Sequence, residues 1–266
     1  MANSRLPGPL CTVLGALQID VGTLCRAASA QPSQRLTAHP HPSSMRQRVS
    51  PAAAAPRPAP PASALAAGRA ATKLSDADFE AAAAQLGKGI ASALLRAFAE
   101  VESGGKSGFG ASGLPIIAYE GHVFRKYTHR QHDDAHPYLS YKYLKKAGPQ
   151  WQHNNKDQAT AWATLGAAMA LDHDAALLAC SWGMFQVMGF NFEACGYADV
   201  DAFVAAMKAG QKGQLLAFVG YCKKKKGMVA ALQAKDFAKM AALYNGEDYG
   251  DYDRRIEKAY KKHGGR

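Results

Sequence analysis

Residues 98–110 read FAEVESGGKSGFG, two glutamates two positions apart and then a run broken by glycines. At about 100° per residue, Ile90, Leu94, Phe98 and Val101 share one face, which predicts a helix over 89–103 with its apolar side turned to a core. Glu102 falls between Phe98 and Leu95 on the margin of that face. Glu100 falls on the opposite side beside Arg96, at the spacing of a surface ion pair. The two acids are therefore not equivalent. A carboxylate at the C-terminal end of a helix faces the negative pole of the macrodipole, and partial burial acts in the same direction; both disfavour ionisation. A carboxyl held protonated near neutral pH is what a general acid needs to protonate a leaving oxygen. The competing reading is a glutamate that frays into solvent beside Gly104.

By composition the chain divides in two. It has 266 residues and 48% hydrophobic content, enough for one substantial core, but ten of its 13 prolines lie in the first 61 residues. Up to Lys73 there are eight Lys or Arg and one acid; from residue 74 there are 24 bases and 20 acids, so most of the formal +11 belongs to the leader. The tract PAAAAPRPAPPASALAAGRAA (51–71) cannot bury a core and reads as a disordered linker. Residues 1–73 are thus expected to be a disordered, basic leader and 74–266 the folded domain. CTVLGALQIDVGTLC (11–25) is too short and too polar for a secretion signal or membrane span, and Met45 is expected to be the natural start. The five cysteines (11, 25, 180, 195 and 222) have no CxxC spacing, and Cys180 and Cys222 read as small buried hydrophobes.

Order is expected from Ser75, an N-cap with Asp78 at the capping-box position, into an alanine-rich helix ending at Gly87. LPIIAYEGHVF (114–124) reads as a short strand carrying Glu120, and residues 129–156 as an elaborated loop. The remainder is helical, closed by Gly, Lys or polar turns. The fold class that follows is mostly α, with one small β element.

Three further stretches carry candidate chemistry. Glu120 lies 18 residues after Glu102 and offers a second carboxylate, as glycoside hydrolysis commonly requires; pairing with His122 or Arg125 is its structural alternative. In CSWGMFQVMGFN (180–191), Gln186 is isolated in an apolar run with Ser181, Trp182 and two glycines around it, which suits a ligand close to the backbone; the plain alternative is a core helix with two loose turns. LYNGEDYGDYD (243–253) places Tyr244 and Asn245 at a helix end, where an Asn-Gly turn is the ordinary reading.

Taken in order, VESGGKSGFG, YEGHVF, SWGMFQVMGFN and YNGEDYGDYD resemble the N-acetylmuramidase domain family of phage endolysins, within the lysozyme-like superfamily and related to lytic transglycosylases. The resemblance spans roughly residues 85 to 263, with Tyr119 where phenylalanine is commoner. It implies an α+β lysozyme-like fold, Glu102 as catalytic acid, and a saccharide groove lined by Glu120, Ser181, Gln186, Tyr244 and Asn245; Trp182 is added as a substrate-binding candidate because a tryptophan can stack on a sugar ring. A basic role for Glu120 is an inference beyond the resemblance. The substrate implied is the peptidoglycan glycan strand, cleaved at the β-1,4 bond between N-acetylmuramic acid and N-acetylglucosamine. A lytic transglycosylase ending in 1,6-anhydro sugars and a non-catalytic wall-binding protein are the alternatives.

No cofactor or metal is expected, since His122, His129, His132, His136 and His153 match no H-E-x-x-H or finger spacing. Lys223 to Lys226 read as a solvated helix end or a contact with the anionic bacterial envelope. Aromatic-basic interleaving suited to nucleic acid is missing from the sequence. The expectation is a monomer made in the bacterial host cytoplasm that acts on peptidoglycan in the periplasm or wall.

Overall fold

The computed structural model describes residues 73–144 and 147–266. Expectations for the linker, Met45, Cys11 and Cys25 lie outside the described residues. Eleven α-helices of the described residues surround a three-stranded antiparallel sheet.

Helix α1 (Asp76–Leu86) begins with the expected capping box: the Ser75 hydroxyl accepts from the Asp78 amide, and the Asp78 carboxylate accepts from the Ser75 amide. Helix α2 (Ser92–Ser103) starts three residues later than the periodicity suggests, because Ala91 is extended; Ile90 is nonetheless buried. It ends in Gly104, whose left-handed φ of 61° lets the chain turn at once, and its amide and that of Gly105 return to the Glu100 carbonyl. That turn is why glycines follow the acid so closely.

The expected pairing of Glu100 with Arg96 is not what forms. Arg96 donates to Asp76 at 2.7 Å and lies 4.3 Å from the centre of the Phe79 ring, tying α2 to α1. Glu100 accepts from Lys262 and contacts His263 at the C-terminal end of α11 (Tyr252–Lys262). Tertiary packing brings these partners to each side chain, and the i,i+4 pair they displace is worth only a few tenths of a kcal/mol.

Strand β1 (Ile117–Tyr119) precedes α3 (Gly121–Tyr127), so Glu120 is the N-terminal boundary residue of α3 rather than a strand residue. The loop that follows contains a short helix, α4 (Pro149–Asn154), and leads to α5 (Gln158–Met169) and α6 (His173–Leu178). CSWGMFQVMGFN forms a hairpin, β2 (Cys180–Trp182) and β3 (Val187–Met188), and then a 3-10 turn, Gly189–Asn191; the core-helix alternative does not hold. Ile117 opposes Trp182, Tyr119 opposes Cys180, and Trp182 also opposes Val187. Gly183 at φ 70° and Gln186 at φ 47° shape the turn, a conformation incompatible with a continuous helix.

Helices α7 (Val200–Ala209), α8 (Gln211–Lys224), α9 (Met228–Ala234) and α10 (Phe237–Asn245) then lead to α11, α9 being a helix that the sequence reading did not separate. Phe98, Phe185 and Phe218 are fully buried at the centre, with Phe185 and Phe218 stacked at 4.4 Å. Each ring removed from water contributes about 1.5–3 kcal/mol. Cys180, Cys195 and Cys222 are free and buried, as small hydrophobes are. Within the described residues, no helix is long and apolar enough to cross a membrane.

Gln214 of α8 is the polar node of this core. Its carbonyl accepts from the Met184 amide at 2.7 Å, and its amide donates to the Met207 and Gly108 carbonyls at 3.1 and 3.5 Å. It thereby holds the loop after α2 against the β2–β3 turn. A Cβ on Gly108 would approach Gln214 Oε1 to 2.3 Å, so only glycine fits there.

Candidate active site

Glu102 is presented by the last turn of α2 and is partly buried. Burial of its carboxyl pushes its pKa up to about 7, while the Tyr252 hydroxyl and the Arg255 guanidinium act the other way. Tyr252 donates to Glu102 Oε1 from the first turn of α11. Arg255, one turn on, donates to the Val101 carbonyl at 3.2 Å. The acid thus combines a pKa near neutrality with a fixed hydrogen-bond donor, the combination wanted of a proton donor at neutral pH.

Tyr244 and Asn245 end α10 beside it. The Tyr244 ring stacks on Tyr252 with centres 6.3 Å apart and meets Phe98 edge-on at 5.2 Å. Its hydroxyl donates to the Phe185 carbonyl at 2.6 Å, linking α10 to the β2–β3 turn. Burial, with Glu102 close by, drives the ionisation of both tyrosines far upward, so both remain hydrogen-bond donors. Asn245 is 9% exposed, and its Nδ2 has no hydrogen-bond partner. Buried amide groups without partners are uncommon in folded proteins.

Gln186 closes the turn that Phe185 anchors. Its carbonyl accepts from Ser181 Oγ at 2.7 Å, and its amide donates to the carbonyls of Gly183 and Ile116 at 2.8 and 3.3 Å. The isolated glutamine in the apolar run is therefore the stitch of the hairpin. Trp182 differs from its expected place: it is 1% exposed, donates to the Leu177 carbonyl and packs edge-on against Trp162, so neither ring face is open to a sugar. The strand is covered on both faces, with Cys180, Ser181 and Trp182 all buried, a fact the bare motif does not reveal.

Glu120 occupies the other end of β1 from Ile116 and Gln186, about 13 Å along the strand at 3.3 Å per residue. It is 5% exposed, accepts from Trp151 Nε1 at 2.8 Å and lies 3.3 Å from His122 Nδ1. With Trp151, Tyr141 and His122 it lines a small pocket, where the Tyr141 hydroxyl is buried without a hydrogen-bond partner. His122, not Arg125, is its neighbour, since Arg125 pairs with Asp133 at 2.8 Å. Among the described residues, no hydrogen bond or ion pair joins the Glu102 and Glu120 carboxyls.

Of the metal-ligating groups among the described residues, His173, Asp174 and Asp201 bring one ligand atom each within 4.8 Å of the others. They are at the exposed starts of α6 and α7, whose positive N-terminal ends oppose a cation.

Residues 91–264 match the family model described as N-acetylmuramidase. The chain belongs to the N-acetylmuramidase family. As a member, it is a peptidoglycan hydrolase. The muramidase chain is also similar to the crystal structure of the Burkholderia AP3 phage endolysin, at 39% identity over 76% of each chain and a TM-score of 0.62. No curated protein matches. The mostly helical, small-sheet architecture is accordingly that of a lysozyme-like endolysin.

Tyr252 is the site residue that sequence reasoning passed over. Its signal was present: Tyr252, Ile256, Ala259 and Tyr260 recur at helical spacing on the apolar face of α11. That pattern announced a packed helix but not a tyrosine aimed at a carboxyl.

Proposed function

We propose that this muramidase cleaves the β-1,4 bond between N-acetylmuramic acid and N-acetylglucosamine by acid catalysis from Glu102. The observation that carries the reading is the partly buried helix-end carboxyl, with a pKa near 7 and a tyrosine hydrogen bond. Glu102 gives its proton to the glycosidic oxygen as the C1–O bond breaks. Water then adds to C1, and its proton returns to the carboxyl. Asn245 Nδ2, buried and without a partner inside the protein, is the donor we assign to a sugar acetamide or hydroxyl, and Gln186 shapes the β2–β3 turn. Ser181 holds Gln186, Tyr244 ties the end of α10 that carries Asn245 to the β2–β3 turn, and Trp182 packs the sheet against Trp162.

The substrate is the glycan strand of peptidoglycan. We place synthesis in the bacterial host cytoplasm and action at the wall, with Lys223, Lys224 and Lys226, all exposed, adding electrostatic attraction to the anionic envelope. The working form is a monomer without a cofactor.

A second reading, transglycosylation, is favoured by one observation. The groups that act on the Glu102 carboxyl are two tyrosines and an arginine, not a carboxylate, and a single acid can also serve as base. Mass spectrometry of digested peptidoglycan separates the two: reducing ends support hydrolysis, and 1,6-anhydro ends support transglycosylation.

Glu120 enters the proposal as the second carboxylate, which stabilises positive charge on the sugar or activates water. Its contacts also suit a strut that fixes Trp151 and His122 at the start of α3. As the second carboxylate, Glu120→Gln should lower kcat by about 100-fold with little change in KM. As a strut, the same change should lower the melting temperature, and the folded protein should keep most of its activity. Melting and lysis measured on one preparation decide.

Residues 1–73 are proposed to be dispensable for catalysis. A chain beginning near Lys73 should fold and degrade purified peptidoglycan at the full-length rate. Failure to fold, or folding without activity, would place the domain boundary earlier.

A further inference from the structure

We propose that Tyr252 is a positioning residue for the acid: by binding Oε1 of Glu102, it leaves the transferable proton on Oε2 and fixes the direction in which that proton is delivered. The inference rests on the reading of Glu102 as the acid.

A neutral carboxyl has one oxygen that carries hydrogen and one that only accepts. Tyr252 donates to Oε1, so the hydrogen resides on Oε2. Burial and the neighbouring Glu102 keep the Tyr252 hydroxyl protonated, and among the described residues Glu102 Oε1 is the acceptor its hydrogen reaches. Nor can the ring readily turn away. It is fully buried, stacked on Tyr244 and packed 6.4 Å from Phe98 edge-on. Tyr244, the other hydroxyl beside Glu102, is committed to the Phe185 carbonyl, which leaves Tyr252 as the donor that holds the acid.

Helix α11 is fastened to α2 along its length, which makes the contact rigid. At its start Arg255 donates to the Val101 carbonyl, and at its end Lys262 donates to Glu100 at 2.9 and 3.0 Å while His263 contacts the same carboxylate at 2.8 Å. The two glutamates of EVES (100–103) thus engage opposite ends of one helix: Glu100 clamps its C-terminal end and Glu102 meets its first residue. The groups facing Glu102 are Tyr252 and Arg255 from α11 and Tyr244 from α10. During the reaction the Tyr252 O–H bond stays intact. The Oε2–H bond breaks as the glycosidic oxygen gains the proton, and Oε1, already hydrogen-bonded, takes up part of the resulting negative charge.

The test is the pH profile of kcat/KM on solubilised glycan strands, whose alkaline limb reports the acid of the free enzyme. Tyr252→Phe removes a donor that favours the carboxylate, so the limb should move up by about one pH unit. At its optimum kcat should fall about tenfold with KM unchanged. Replacing Tyr252 by 3-fluorotyrosine keeps the shape and strengthens the donor, so the limb should move down; this variant decides the matter if Tyr252→Phe does not fold. Limbs unmoved in the folded variants, even with a lower melting temperature, would make Tyr252 a packing residue and overturn the inference. Glu102→Gln assayed alongside separates the two failures. An inactive Glu102→Gln with unmoved Tyr252 limbs sinks only the positioning role, whereas an active one sinks the acid itself.

Discussion

Glu102→Gln should abolish lysis of outer-membrane-permeabilised Gram-negative cells, with kcat reduced at least 100-fold, and yet melt higher than the parent above pH 7. The activity loss follows because the amide keeps the shape of the carboxyl and can still accept from Tyr252 but has no proton to give. The stability gain follows from linkage. Folding raises the Glu102 pKa from 4.5 to about 7, so its favourable contribution is complete below the lower value and is lost as pH rises through the upper one. Above pH 7 the folded parent holds a partly buried charge that the glutamine variant lacks. The difference is of order 2 kcal/mol after allowance for partial exposure, or roughly 4–8 °C in a domain of this size. It should vanish near pH 4. Retention of a tenth or more of the parent activity would sink the assignment of the acid, and a melting difference independent of pH would show that Glu102 ionises normally. Glu100→Gln serves as the comparison: it loosens the clamp to Lys262 and His263 at the far end of α11 but leaves the proton donor in place, so its loss of activity should be far smaller.

Gln214→Ala should be the most damaging of the polar core substitutions in stability terms. The change strips the partner from the Met184 amide and from the Gly108 and Met207 carbonyls in a core that water does not reach, since Gln214 is 1% exposed. Unsatisfied buried groups cost about 1–3 kcal/mol each, and the cavity adds to this, so a loss of about 3–4 kcal/mol is expected. For a domain of this size that is a melting temperature lower by roughly 6–16 °C, measurable by circular dichroism at pH 6. Because Gln214 joins the loop after α2 to the β2–β3 turn, the surviving folded protein should also lose activity. Gln214→Glu, which keeps the acceptor for Met184 and forfeits the amide donors, should be at least as damaging because it adds a buried charge. A melting temperature within 2 °C of the parent for the alanine variant would remove Gln214 from the core network.

The local choices were legible because they are made by near neighbours. The Ser75–Asp78 capping box, the apolar face of α2 and the break at Gly104 all arise from interactions within four residues, and each forms as read. Glu102 could be singled out from Glu100 by helical phase alone. Family-specific spacing then tied VES to SWG and YNG, and the family match covers them all. Where the reading erred, a distant partner overrode a local one: Arg96 left Glu100 for Asp76, and the apolar run around Gln186 became a hairpin because β1 was there to pair with it.

Periodicity and glycine act over a few bonds, and they suffice to set a helix-end carboxyl at the rim of an apolar core with a turn directly after it. The packing of distant elements decided what surrounds that carboxyl. Tyr252 reaches it across 150 positions of chain, and Gln214 bridges the flanking loops from α8. It also decided that Trp182 faces the core and that Glu120 meets Trp151. The physical reason is that burial and hydrogen-bond partnership depend on which surfaces pack together. Packing is settled by the whole core at once, whereas helical phase is settled within a single turn.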